Sequence, residues 1–136
     1  MDLSTIVLLI DLIEKLLQLK TLELSLENNI NLNPEFLISL SAAISKMTLL
    51  SSLKLRLRKN NLNDLGIRSL MASIGSLREL HILELGLQNN SISKLGVDFI
   101  FEAISKLILL EYVNIQLPSN TINCKDNNCI YPCDFS

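Results

Sequence analysis

Three thiols stand close together near the end of the chain, Cys124, Cys129 and Cys133, and they are its one cluster of soft metal ligands. Zinc normally takes four nitrogen or sulfur ligands, so Asp126 or Asp134 would have to supply the fourth, and the spacing is not that of a zinc pair. The cysteines are therefore read as ordinary thiols of a capping or disordered tail, and no metal is assigned. An odd number of cysteines cannot close a disulfide framework, which points to a reducing, cytoplasmic compartment. The single histidine, His81, has no second catalytic group near it in sequence and is read as a surface histidine bonded to Glu111. A glycine-rich phosphate loop, a nucleophile elbow and paired histidines on one helical turn are all missing. The chain reads as non-enzymatic, with no cofactor.

What remains is a surface for binding, and the elements that carry it follow from composition. Hydrophobic residues make up 49% of the 136 residues, aromatics only 4%, and tryptophan is absent. Such an apolar content is almost entirely Leu and Ile, the product of one packing slot used repeatedly. With 12 Lys and Arg against 14 Asp and Glu, the net charge is -2. A chain so charged has no electrostatic hold on nucleic acid or an acidic membrane. The apolar N-terminus lacks a basic leader region, carries Asp2, Asp11 and Glu14, and shows no small-residue cleavage site. It is not read as a signal peptide, nor as a membrane span, which needs about 20 apolar residues in a row. Asn89-Asn90-Ser91 is a formal glycosylation acceptor of a kind frequent by chance.

Four segments share the pattern L-x-x-L-x-L-x-L, beginning at Leu19, Leu50, Leu80 and Leu110, with Val113 and Ile115 substituting in the fourth. Their second aliphatic positions, Leu22, Leu53, Leu83 and Val113, are 31, 30 and 30 residues apart. Three residues beyond each last leucine stands an asparagine: Asn29, Asn60, Asn90 and Asn120. Between asparagine and next strand the apolar period becomes helical. Leu37, Leu40, Ile44 and Met47 mark one face; Ile67, Leu70, Ile74 and Leu77 repeat it, as do Val97, Ile100, Ile104 and Leu107. Ile6, Leu9, Ile13 and Leu16 fit the same frame, so the N-terminal run from Leu3 to Leu17 is expected to be the helix of a first unit. Each unit is one strand plus one helix, and neither buries its apolar face alone, so neighbours must stack. The asparagines are expected to form a structural ladder whose side chains satisfy backbone groups of the turns.

The form L-x-x-L-x-L-x-L-x-x-N-x-L resembles the leucine-rich-repeat family. A whole helix per unit, with Leu65-Gly66-Ile67 and Leu95-Gly96-Val97 at the helix entry, is similar to the ribonuclease-inhibitor-like subclass. The resemblance implies an α/β solenoid, a short parallel sheet on the concave face and helices on the convex face. It covers roughly Leu3 to Ile122, so residues 1–122 are expected to form the repeat domain and 123–136 a cysteine-containing tail. The first full unit departs from the pattern, with Phe36 where the next two have glycine, and with one extra residue between Asn29 and Leu32. For function the resemblance implies binding of a protein on the concave sheet face, without catalysis. A second reading makes the chain a structural subunit, or a piece of a larger signalling or scaffold repeat protein completed by end-to-end stacking.

Equivalent residues on adjacent strands lie about 4.8 Å apart and form ladders across the sheet. One ladder is Glu23, Lys54, Glu84, Asn114; a second is Glu27, Arg58, Gln88, Pro118. Their alternating signs suggest lateral ion pairs. In the third, Ser25, Arg56, Gly86, Gln116, the arginine has small uncharged neighbours and is expected to be available for a partner's carboxylate or aromatic ring. Tyr112 ends the outermost ladder after Thr21, Ser52 and Ile82, either as a contact aromatic or packed on Ile82. The partner-binding set is thus Lys54, Arg56, Arg58, Glu84 and Tyr112. On the helix side Met71 and Phe101 occupy matching positions, as a small apolar patch or against the adjacent helix. Finally, Val7, Leu8 and Leu12 lie off the repeat face of the first helix, which predicts self-association or docking to another subunit through it.

Overall fold

The computed structural model describes residues 1–29 and 32–117. Helices and short strands alternate: α1 (Leu3–Ile13), β1 (Thr21–Ser25), α2 (Pro34–Ser45), β2 (Ser52–Arg56), α3 (Asp64–Ile74), β3 (Ile82–Gly86), α4 (Lys94–Ser105) and β4 (Tyr112–Gln116). The strands make one parallel sheet in the order β1-β2-β3-β4, each beside the next in sequence. Its register is the one the leucine frame predicts, with Leu22, Leu53, Leu83 and Val113 side by side, then Leu24, Leu55, Leu85 and Ile115. Asn120, Pro118 and the cysteines Cys124, Cys129 and Cys133 lie outside the described residues.

Each helix begins at a side-chain oxygen that accepts from the first turn and so satisfies a backbone N–H with no partner inside the helix. Asp2 accepts from Thr5 N at 2.8 Å, Asn33 from Phe36 N at 2.9 Å, Asn63 from Gly66 N at 3.3 Å and Ser93 from Leu95 N at 3.2 Å. In α2 the cap is followed by Pro34, tolerated there because its missing N–H would have been unpaired in any case. The apolar stripes face the strands. Leu37, Leu40, Ile44 and Met47 are fully buried, as are Ile67, Leu70 and Ile74, and they join the inward leucines of the sheet in one core. Burying one such side chain contributes about 1.5–3 kcal/mol, and a strand of five residues has no other source of comparable size.

Packing between helices depends on one position. A Cβ on Gly66 would sit 3.0 Å from Leu37 Cδ2, and one on Gly96 would sit 2.5 Å from Asp64 Oδ1 and 2.6 Å from Ile92 Cγ2. Glycine there lets α3 approach α2 and α4 approach α3. In α2 the same position is Phe36, nearly buried, and α1 packs on α2 less extensively than α2 packs on α3.

The first helix is shorter than its apolar run. It ends at Ile13, not Leu17, and the chain turns through Glu14 and Lys15; Leu16 is exposed although its counterparts Met47 and Leu77, likewise beyond their helix ends, are buried. Ile6 and Ile13 are buried and Leu9 half-buried, as the repeat frame requires. Met71 is fully buried and Phe101 half-buried, so these two form no shared exposed patch. Among the described residues no helix is long and apolar enough to cross a membrane.

Candidate functional site

The turn after each strand is built around the asparagines. Asn60 donates from Nδ2 to the carbonyls of Leu57 at 2.8 Å and of Leu26, in the preceding unit, at 3.0 Å. Its Oδ1 accepts from Asn29 N at 2.8 Å, while its own N–H donates to Asn90 Oδ1 at 3.2 Å. Asn90 repeats the arrangement, donating to Leu57 O and Leu87 O at 3.0 Å each and accepting from Leu62 N at 3.2 Å. Asn29 donates to Glu27 O at 3.0 Å and accepts from the Met1 amine at 3.0 Å. Immediately before these asparagines, Asn28, Lys59 and Asn89 have φ of 58°, 53° and 54°. This left-handed turn releases the chain from the strand; asparagine adopts it readily and lysine does not.

On the opposite side of each strand from the leucines, the alternate residues form the open face of the sheet. The ladders are those of the leucine frame: Glu23, Lys54, Glu84 and Asn114 in one, Ser25, Arg56, Gly86 and Gln116 in the next. Ile82 and Tyr112 are register partners, and the tyrosine is exposed. A concavity of about 210 Å³ opens on this face, and Lys54, Arg56, Arg58 and Glu84 all line it. Tyr112, the fifth residue of the set, is not among its lining residues.

The ion pairs differ from those expected. Arg56 is not available: it is bonded through Nη1 to Glu23 on β1. Glu23 is two residues from Ser25, the register partner of Arg56, and a diagonal neighbour at that spacing is within reach of a long side chain. The guanidinium holds the Glu23 carboxyl below the usual carboxylate range, first by its hydrogen bond and then by its charge, and Glu23 in turn raises Arg56. Both groups are exposed, so the pair adds little to stability. Lys54 pairs laterally with Glu84, at 3.1 Å, and not with Glu23. The expected pair between Glu27 and Arg58 does not form, and Arg58 is in no ion pair among the described residues. His81 also turns elsewhere. Its Nδ1 lies 2.7 Å from Glu79 O and 3.3 Å from Ser51 Oγ, with no bond to the Glu111 side chain.

Two features of this face have no counterpart in the repeat pattern. Gly86 leaves a gap in the middle of its ladder, and the Gln88 side chain lies over it: a Cβ on Gly86 would be 3.3 Å from Gln88 Oε1. Gln88 donates from Nε2 to Gln116 Oε1, but its own Oε1 is buried with no donor among the described residues. No sequence periodicity signals an orphaned atom; only the absence of a side chain at Gly86 hints at it. Among the described residues no group of three or more His, Cys, Asp or Glu could hold a metal ion.

The sheet order, the in-register leucines and the asparagine turns define a leucine-rich-repeat-like α/β fold. Among solved structures the chain is similar to the leiomodin-1 actin-binding site 2, with a TM-score of 0.59 at 14% identity over 80% of this chain. It spans 60% of that structure's length, and at this identity the likeness concerns the fold alone. No family model matches the chain, and no curated protein matches it.

Proposed function

We propose that this chain is a non-enzymatic, cytoplasmic interaction module of the ribonuclease-inhibitor-like kind, a solenoid that binds a protein on its concave sheet face. The observation that carries the reading is the face itself. Lys54, Arg56, Arg58 and Glu84 line one concavity, Lys54 and Arg56 are paired with Glu84 and Glu23, and the turns after the strands are tied together by the asparagines. A preorganised polar surface over a fixed backbone loses little freedom on binding. The leiomodin structure lends support, since a comparable fold there is an actin-binding site. To test it, a partner is recovered with the purified chain as bait and its affinity compared across variants. Arg56→Glu combined with Arg58→Glu should weaken binding by about a hundredfold, a charge reversal at the centre of an interface. Arg78→Glu, exposed in the connection between α3 and β3, should change it less than about threefold. The reverse ranking moves the site to the helix side.

The alternative, a structural unit completed by stacking on another repeat, is favoured by one observation: α1 exposes the large apolar side chains Leu3, Val7, Leu8 and Leu12.

A further inference from the structure

The Gly86 gap says what kind of segment the open face takes, on the reading that this face is where a partner binds. Charge comes first. The concavity is lined by Lys54, Arg56 and Arg58 against Glu27 and Glu84, with Glu23 bonded to Arg56 from outside the lining. Lys54 is held by Glu84 and Arg56 leans to Glu23 on β1, away from Gly86 on β3. Arg58 is in no ion pair among the described residues and lines the concavity with Gly86, as does its lateral neighbour Glu27. Space comes second. The gap is filled by the Gln88 amide, whose buried oxygen has no donor among the described residues. A buried acceptor with no partner costs stability, so this amide gains hydrogen bonds by leaving, with only its bond to Gln116 to lose.

We infer that the gap over Gly86, closed by the Gln88 side chain until a partner arrives, is the seat of an extended acidic segment whose carboxylate meets Arg58. The partner displaces Gln88, lays its backbone against the bare strand at Gly86, and pairs its acid with the one uncommitted arginine of the concavity. A planar guanidinium can take a carboxylate through two parallel bonds, which fixes the segment's orientation as well as its charge.

The test uses the full 136-residue chain and an array of immobilised random nonapeptides as the probe. Retained peptides should be rich in Asp and Glu, and changing the acid of the best peptide to its amide should lower affinity about tenfold or more. Arg58→Gln should produce a loss of the same order. Gly86→Gln, which fills the gap with the residue β4 carries in that ladder, should also lower affinity about tenfold, and Gln88→Ala should raise it about threefold. Unchanged helical circular dichroism shows that each variant is folded. Retention of basic or uncharged peptides, of none, or of acidic ones indifferent to Arg58→Gln overturns the inference. If non-acidic peptides are retained and Gly86→Gln releases them, only the acidic seat falls. If retention ignores both Gly86→Gln and Arg58→Gln, the sheet-face reading falls with it.

Discussion

Asn60 is bonded at four points, and each point belongs to backbone that water does not reach freely. Asn60→Ala takes the donor from two carbonyls and the acceptor from Asn29 N, a loss of about 2–3 kcal/mol by the usual cost of unmade buried bonds. Asn63, three residues on, looks from the sequence like an inert surface asparagine, but it caps α3. Asn63→Ala should therefore cost about 1 kcal/mol. Urea denaturation of the two variants checks the ranking; equal midpoints would mean that the ladder holds no more than a helix cap does. Asparagines recurring on a strict frame were legible because one backbone geometry demands one residue. The partner of Arg56 was not, because a flexible side chain chooses between lateral and diagonal neighbours by rotamer. The left-handed backbone of Lys59, with a cost of about 1 kcal/mol, is legible only beside Asn28 and Asn89 at the same turn.

Among the elements, the helix stripes and strand register followed from the leucines alone, since a one-residue slip would turn every leucine outward. The helix starts did not. Asp2, Asn33, Asn63 and Ser93 recur on the repeat frame, yet three residue types perform one task, so the pattern lies in the shared side-chain oxygen and not in the letter. Close helix contact is the other element-scale property. Gly96→Ala would drive a methyl group to 2.5 Å from Asp64 Oδ1, and Asp64 is the carboxylate that accepts from Ser93 N at 2.8 Å. Ile92, on the other side, is fully buried and has nowhere to move. Such overpacking should cost about 1–3 kcal/mol. Thermal denaturation measures it, with Gly66→Ala, where only the end of the Leu37 side chain must yield, as the milder comparison. A melting temperature unchanged by Gly96→Ala would show that α4 can stand off from α3.

At the scale of the whole molecule, α1 is the element whose surface does not match its neighbours. Leu3, Val7, Leu8 and Leu12 are 69%, 57%, 68% and 54% exposed; the position equivalent to Val7 is Ile38 in α2, 40% exposed, but Arg68 and Asp98 in α3 and α4. Exposed apolar side chains in this number on one short helix favour association. The 136-residue chain on its own is expected to sediment as an oligomer, and Val7→Lys, Leu8→Glu and Leu12→Lys together should give a monomer with unchanged helical content. A wild-type chain that sediments as a monomer at tens of micromolar, roughly the range where weak interfaces of this size are populated, would refute the expectation. The asparagine turns have a mechanical consequence. The bonds that join one turn to the next, like the ladders of the sheet, link each unit only to its immediate neighbour among the described residues. Pulled by its two ends, such a molecule tears as a zip does, from an end and one tooth at a time. Each tooth is a unit of 30 or 31 residues, releasing on the order of 100 Å of slack before the next one bears the force.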